Sequence, residues 1–307
     1  MPDRRKAEAV SENSYAYDLM DFPVSAPPRT VISLVPSLTE SLFDLNLGDR
    51  VAAVTDYCVH PQVKVTHLPK IGGTKNPDIE QIIQLKPDLV LANQEENRRE
   101  DVEALQAAGI PVWVTFPKTV KEVFNILWNL MYMFDETSMV PRIRLIEYTY
   151  DWVNGISRAN EEHLPKVFVP IWLDPLMTFN QDTYIHDLLW VCGGVNVFAD
   201  RERHYPLQAD LGGREAYPAD DDRIAGRDTR YPRVTMDEVV AAQPDIILLP
   251  SEPFEFTEHH LPIFAALDVP AARNQRIHRV DGSLLTWHGT RIAYAFDTLP
   301  ALLLPPD

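Results

Sequence analysis

Tyr57 and His60 follow one short β-rich run, VAAV, and Trp287 and His288 follow another, RIHRV, in the opposite half of the chain. Three more runs end in groups of the same character. Asn93 to Asn97 come after LVLA, Trp172, Asp174 and Phe179 after KVFVPIW, and Glu252 and Phe254 after IILLP. Ligands of open parallel sheets bind beyond the carboxyl ends of the strands, so loops in these positions are where chemistry collects. Large flat side chains with a few polar groups suit a flat, mostly apolar ligand, because stacking buries area without many directed bonds. Taken singly, each aromatic also fits a core or rim position; the convergence of the set is what points to a ligand.

Other chemistries lack their residues. The chain has nine histidines, but none shows the His-x-x-x-His spacing of a helical metal site, and the adjacent His259 and His260 point in different directions on a helix. No structural metal is expected. His60 and His288, after strands of opposite halves, have the placement to ligate a metal carried inside a ligand, although an ordinary rim position explains either. No nucleophile elbow, phosphate loop or dinucleotide fingerprint is present, and Gly72-Gly73 and Gly212-Gly213 are isolated pairs. Paired carboxylates occur, as in Glu95-Glu96 and Asp220-Asp221-Asp222, the latter in a polar stretch that they solvate. No catalytic residues are assigned, and binding is expected rather than catalysis.

A length of 307 residues suggests two domains, and 45% hydrophobic with 24% charged residues is the profile of a globular protein. The net charge of −17 argues against nucleic acid or anionic membrane as the main partner, since both need a basic footprint. No apolar run approaches a membrane span, so no membrane insertion is expected. Residues 1–22 have basic groups near the start but no apolar core after them, so the chain as written reads as cytoplasmic, without a signal peptide or lipid anchor. Cys58 and Cys192 fall in different halves and read as buried fillers rather than a disulfide.

The elements that must position the loops alternate strand and helix, which predicts parallel sheets covered on both faces. An N-terminal arm (1–28) precedes a first α/β lobe (29–134); a linking helix (135–165) leads to a second α/β lobe (166–307). The linking helix is read from Ser138 as its cap to Asn160, with Pro141 in its first turn, where no intrahelical bond is lost. Its roughly 22 residues span about 33 Å, a rigid strut with Ile143, Ile146, Tyr150 and Val153 on its buried stripe and Glu147 on the polar side. Ser37-x-x-Glu40 and Thr235-x-x-Glu238 read as capping boxes, and Asn76-Pro77 as a cap and first turn. The halves also echo each other: the 157 residues that separate Pro87-Asp88 from Pro244-Asp245 also separate Glu80 from Asp237 and Leu89 from Ile246. The fold class is therefore α/β, with two Rossmann-like lobes facing each other across a cleft and joined by one long helix. The polar stretch from Ala199 to Arg233 is expected to be an ordered flap beside that cleft, held mainly by apolar anchors.

The stretches RTVISLVPSLTESLFDLNLGDRVAAVTDYC and PKIGGTKNPDIEQIIQLKPDLVLA, with PLMTFNQDTYIHDLLWVCGGVNVFAD and YPRVTMDEVVAAQPDIILL in the second half, resemble the substrate-binding proteins of ABC importers for cobalamin, ferric siderophores and haem, most closely the cobalamin type. The resemblance covers about Arg29 to Leu302. It implies a binding function for a cobalamin-like or other metal-chelate ligand, no cofactor of the protein's own, and an ABC permease as partner. By resemblance Tyr57 is a ligand-stacking tyrosine, Tyr231 an aromatic near the ligand, and Glu80 and Asp237 the acids, one per lobe, that dock on the permease. Acids in a first helical turn are also favoured by the helix dipole alone, by about 0.3 to 1 kcal/mol. Thr74 and Asn93 stand where cobalamin receptors tend to carry tryptophans, and the 199–233 excursion is longer than the family's usual connection. The alternatives are a cytoplasmic corrinoid or metal-chelate handling enzyme using His288 and Glu252, and a signalling protein that contacts a partner through the excursion.

Overall fold

Each half of the chain builds a four-stranded parallel sheet with its strands in the same spatial order. In the computed structural model, which describes residues 22–218 and 220–303, the first sheet runs Val51–Val54, Val31–Ser33, Leu89–Asn93, Val112–Thr115. The second runs Val195–Asn196, Lys166–Phe168, Ile246–Pro250, Ile277–Val280. In both, the chain's second strand lies outside its first and the third returns to the first strand's other side. Each lobe therefore has a switch point between its first and third strands, where the following loops part in opposite directions and leave a crevice. The central strands Leu89–Asn93 and Ile246–Pro250 are buried along their whole length, as helices on both faces require.

The 157-residue echo is a structural repeat. Asp78 and Thr235 cap helices Ile79–Leu85 and Met236–Ala242 through side-chain oxygens. Lys86 and Gln243 end those helices in the left-handed region, at φ 47° and 49°. Asp88 and Asp245 then each accept backbone N–H groups at the start of the lobe's first strand, from Arg29 and Thr30 in one lobe and Lys166 in the other. Cap, left-handed exit and carboxylate staple together fix how each helix feeds the central strand.

The linking helix runs Val140–Ala159, with Met139 as N-cap and Pro141 in the first turn. Ser138 is not the cap: its hydroxyl receives Asn46 Nδ2 from the first lobe and its N–H goes to Glu136. Ile143, Ile146, Tyr150 and Val153 are buried as the spacing requires, in an apolar core continuous from Val31 to Leu303. One core spanning strut and both lobes opposes large lobe rotations, since opening it would expose apolar area at about 25 cal/mol per Å². Glu147 departs from the stripe reading. It is buried, receives Trp128 Nε1 at 2.7 Å and Arg144 Nη1 at 2.8 Å, and its carboxyl is pushed up to about 7 by burial and then by Asp151.

Other local expectations shift for identifiable reasons. The helix at Pro36–Asp44 starts one residue before Ser37, because Pro36 has its φ preset for a first turn; Val35 is the N-cap and Glu40 is spent elsewhere. Asn76–Pro77 pairs antiparallel with Gly72–Gly73 instead of capping. The strand read as KVFVPIW ends at Phe168, two residues before Pro170, which has no N–H for a ladder. Thr235 and Glu238 do form a reciprocal capping box. Both cysteines are free and buried. Of the N-terminal arm, residues 1–21 lie outside the described residues. Among the described residues no helix is long and apolar enough to cross a membrane.

Candidate functional site

The loops beyond the strand ends of the two lobes face each other. From the first lobe, Tyr57 stands 63% exposed after Val51–Val54, and the half-buried His60 meets Trp287 of the second lobe edge-on, ring centroids 5.6 Å apart at 72°. From the second lobe, Trp172 is 43% exposed, its indole Nε1 donating to Asp174 O at 3.1 Å and its ring edge-on to Phe254 at 5.5 Å. Phe254 in turn packs on Phe256 at 4.7 Å and on His260 at 5.3 Å. The second lobe thus presents a supported aromatic wall, and the first lobe an exposed tyrosine and a histidine.

Trp287 is held by a lobe-bridging ion pair. Arg291 lies over its ring at 5.3 Å, bonds Glu40 of the first lobe at 2.9 Å and Asp281 at 3.1 Å, and donates to Ser283 Oγ at 2.9 Å. Glu40 and Arg291 are nearly enclosed, with side chains 8% and 11% exposed. Burial raises the Glu40 carboxyl and the Arg291 charge opposes that rise. Glu252 accepts the Thr286 hydroxyl and a side-chain hydrogen bond from Trp287; burial nevertheless raises its carboxyl.

The loop after Leu89–Asn93 contributes two carboxylates. Asn93 is buried and builds this loop: its Oδ1 receives the Glu95 N–H at 2.8 Å, while its own N–H goes to Asn97 Oδ1 at 2.8 Å. Glu95 Oε1 then receives Arg230 Nη1 at 2.5 Å and the Tyr231 hydroxyl at 2.6 Å, joining the first lobe to the end of the excursion. Arg230 also lies 4.8 Å over the ring of Phe116 and forks onto Asp228. Glu96 is pushed up to about 8 by burial, then by the charges of Glu252 and Glu95, with Lys75 opposing.

Three expected ligand groups are placed differently. Phe179 is fully enclosed in the main core and presents no face to the cleft. Asn93 and His288 are buried against each other, Nδ2 to Nε2 at 3.3 Å, and burial pushes the imidazole down to about 4. They brace the lobe contact from behind the exposed groups. Tyr57, His60, Trp172, Tyr231, Glu252, Phe254 and Trp287 remain partly or largely accessible on the facing loops. Glu80 and Asp237 are exposed at matching second positions of the two capped helices. Among the described residues no cluster of His, Cys, Asp or Glu has the makings of a metal site.

The described residues of the excursion are arranged around a buried charge. Asp210 is buried, accepts the N–H groups of His204 and Arg233, and lies 3.7 and 3.9 Å from Arg201 and Arg203. Arg201 ties the same region to Glu238 at 3.3 Å. Backbone bonds from Thr178 to Pro232 and from Asn180 to Arg230 stitch its end to the lobe. This hub works beside apolar anchoring, since Tyr231 packs against the main core and Ala209 is buried. The residues that sequence reasoning left out of the site are Phe116, Arg230 and the Glu40–Arg291 pair. Glu95 lay in the Asn93 to Asn97 loop that follows a central strand, but its partners Arg230 and Tyr231 were not legible there.

Comparison with known proteins agrees with this architecture. Residues 31–138 match the periplasmic binding protein family. The fold is that of the periplasmic binding proteins. The described structure is similar to the periplasmic vitamin B12 binding protein BtuF of Vibrio cholerae, with a TM-score of 0.69 at 21% identity, covering 90% of this chain and 96% of that one. It is similar also to the periplasmic heme-binding protein RhuT from Roseiflexus sp. RS-1, with a TM-score of 0.67 at 21% identity over 89% and 97% of the two chains. In sequence the chain is 30% identical over 189 residues to the vitamin B12-binding protein of Yersinia pestis (strain Pestoides F). That alignment covers 61% of this chain and 66% of the relative, just under two thirds of its length.

Proposed function

We propose that this protein binds a planar metal chelate of the cobalamin kind between its lobes and delivers it to the permease of an ABC importer. The observation that carries the reading is the presence of accessible aromatic groups from both lobes, Tyr57 and His60 with Trp172, Phe254 and Trp287, on the loops beyond the strand ends, where His60 meets Trp287 across the lobes. Aromatic faces on opposed walls offer a flat macrocycle stacking area from either side. The vitamin B12-binding and heme-binding names of the similar proteins support the same class of ligand. The metal is cargo inside the chelate, and no resident cofactor is proposed. A catalytic role for His288 is disfavoured by its burial behind the cleft.

Mixing the pure protein with cyanocobalamin, haem and a ferric siderophore, and following ligand absorbance and tryptophan quenching, tests the proposal. Saturable quenching by at least one chelate, weakened about tenfold or more in Trp172→Ala, is expected. No response to any of the three overturns it. The permease half of the proposal rests on Glu80 and Asp237, exposed one per lobe at equivalent helix starts. Reversing both to lysine is expected to leave ligand affinity within about twofold and abolish uptake, because exposed acids carry little stability. Equal loss of melting temperature and uptake in the single variants would sink the docking role. Residence is tested by fractionating native cells: delivery to an importer requires recovery outside the membrane, and recovery only in the cytoplasm overturns the permease half of the proposal.

A further inference from the structure

The 199–233 excursion borders an open pocket of about 490 Å³, with Tyr205, Gln208, Tyr217, Arg227 and Arg233 on its walls. In a chain of net charge −17 this pocket has two guanidinium groups and no carboxylate among its lining residues. Three acids of the excursion are committed elsewhere. Asp228 is forked by Arg230, Asp221 by Arg223, and Asp210 serves the buried hub with Arg201 and Arg203. Arg227 and Arg233 have no carboxylate within ion-pair distance among the described residues. Arg227 spends its Nε on Arg223 O at 2.7 Å and lies 4.9 Å over the Tyr205 ring. Arg233 reaches Leu207 O through one terminal nitrogen at 3.4 Å, and its Nε is buried without a partner. Arg203, behind Tyr205 at 5.8 Å, likewise has a buried Nε without a hydrogen bond.

Arg227 spends only its Nε and Arg233 only one terminal nitrogen in hydrogen bonds to backbone oxygens, so each keeps terminal N–H groups at the pocket for an anion. The planar fork of arginine matches the paired oxygens of a carboxylate or phosphate. Tyr205 is fixed by its hydroxyl bond to Asp228 O at 2.8 Å, and Tyr217 N bonds Tyr205 O at 2.7 Å, so the two tyrosines form a preset wall. We infer that this pocket is a binding site for a small oxyanion, a phosphate or carboxylate group, held by Arg227 and Arg233 against Tyr205 and Tyr217. Its lining residues are distinct from those proposed to hold the chelate, and the site does not depend on which chelate binds.

Calorimetric titration of the full chain with inorganic phosphate and with benzoate, against chloride at equal ionic strength, tests the inference. Saturable one-site binding of at least one oxyanion is expected, weakened about tenfold or more by Arg227→Gln and by Arg233→Gln. Phosphate alone, or benzoate alone, identifies which oxyanion the site takes. Arg233 also serves the fold of the excursion, so Arg227→Gln, whose side chain is exposed and makes one backbone bond, carries the test if Arg233→Gln does not fold. A response no greater than that to chloride, or oxyanion binding unchanged in Arg227→Gln, overturns the inference.

Discussion

Replacing Glu95 by Gln isolates the bond that holds the excursion to the first lobe. Glu95 Oε1 takes both Arg230 Nη1 and the Tyr231 hydroxyl, with the Arg230 and Glu95 side chains 15% and 32% exposed. A charge-assisted hydrogen bond in a partly buried site is worth about 1.5 to 3 kcal/mol, and the exposure of Glu95 lowers that to about 1 to 2 kcal/mol for loss of the charge. In the proposed binding of a flat ligand between the lobes, the bond opposes the local parting of the excursion's end from the first lobe that entry requires. Weakening it raises the open fraction by about 5- to 30-fold, and the apparent association rate rises with that fraction. Stopped-flow quenching with whichever chelate binds, with denaturant unfolding in parallel, should show the faster association together with the stability loss. Asp221→Asn removes an exposed pair that does not join the lobes and serves as control, with neither rate nor stability changed appreciably. An unchanged or slower association in Glu95→Gln, at full stability loss, refutes the latch and makes the bond purely structural.

Glu96 sets a pH dependence. Its folded carboxyl is raised from the ordinary 4.5 to about 8, so between those values the folded protein keeps a proton that the unfolded chain has released; stability falls as pH rises through this window and the loss is complete above it. Glu96→Gln stays neutral, so its melting temperature should match the parent near pH 4.5 and exceed it increasingly toward pH 8 to 9; parallel curves would rule this out, and Glu252, raised in the same direction, leaves a residual slope. Arg291→Ala strands Glu40 in a nearly enclosed site and should cost about 3 to 5 kcal/mol by denaturant unfolding, whereas Arg99→Ala, from an exposed i,i+4 pair, should leave stability almost unchanged. Similar small losses in both would show that the lobe-bridging pair is well hydrated.

The amino-acid sequence by itself determined the parts of this protein that depend on neighbours along the chain. Strand runs such as Ile246–Pro250, the capping box at Thr235 and the unbroken linking helix follow from local hydrophobic period, cap chemistry and the position of one proline. The repeat was legible too, because Pro-Asp at the same distance from an acid marks the same turn in both lobes. What only the tertiary structure decided is where long polar side chains spend their charges. Glu40 reads as a cap and Glu147 as a surface acid; across the fold one finds Arg291, 251 residues away, and the other is buried between Trp128 and Arg144. Phe179, Asn93 and His288 read as ligand groups because they follow strands, but packing of the second lobe on the first buried them. In the same way Asp210, one acid among many in a polar stretch, became the hub of the excursion. A charged group buried without a partner costs several kcal/mol, so its final partner is set by whatever donor the assembled fold brings within reach, and that donor has no fixed spacing in the chain.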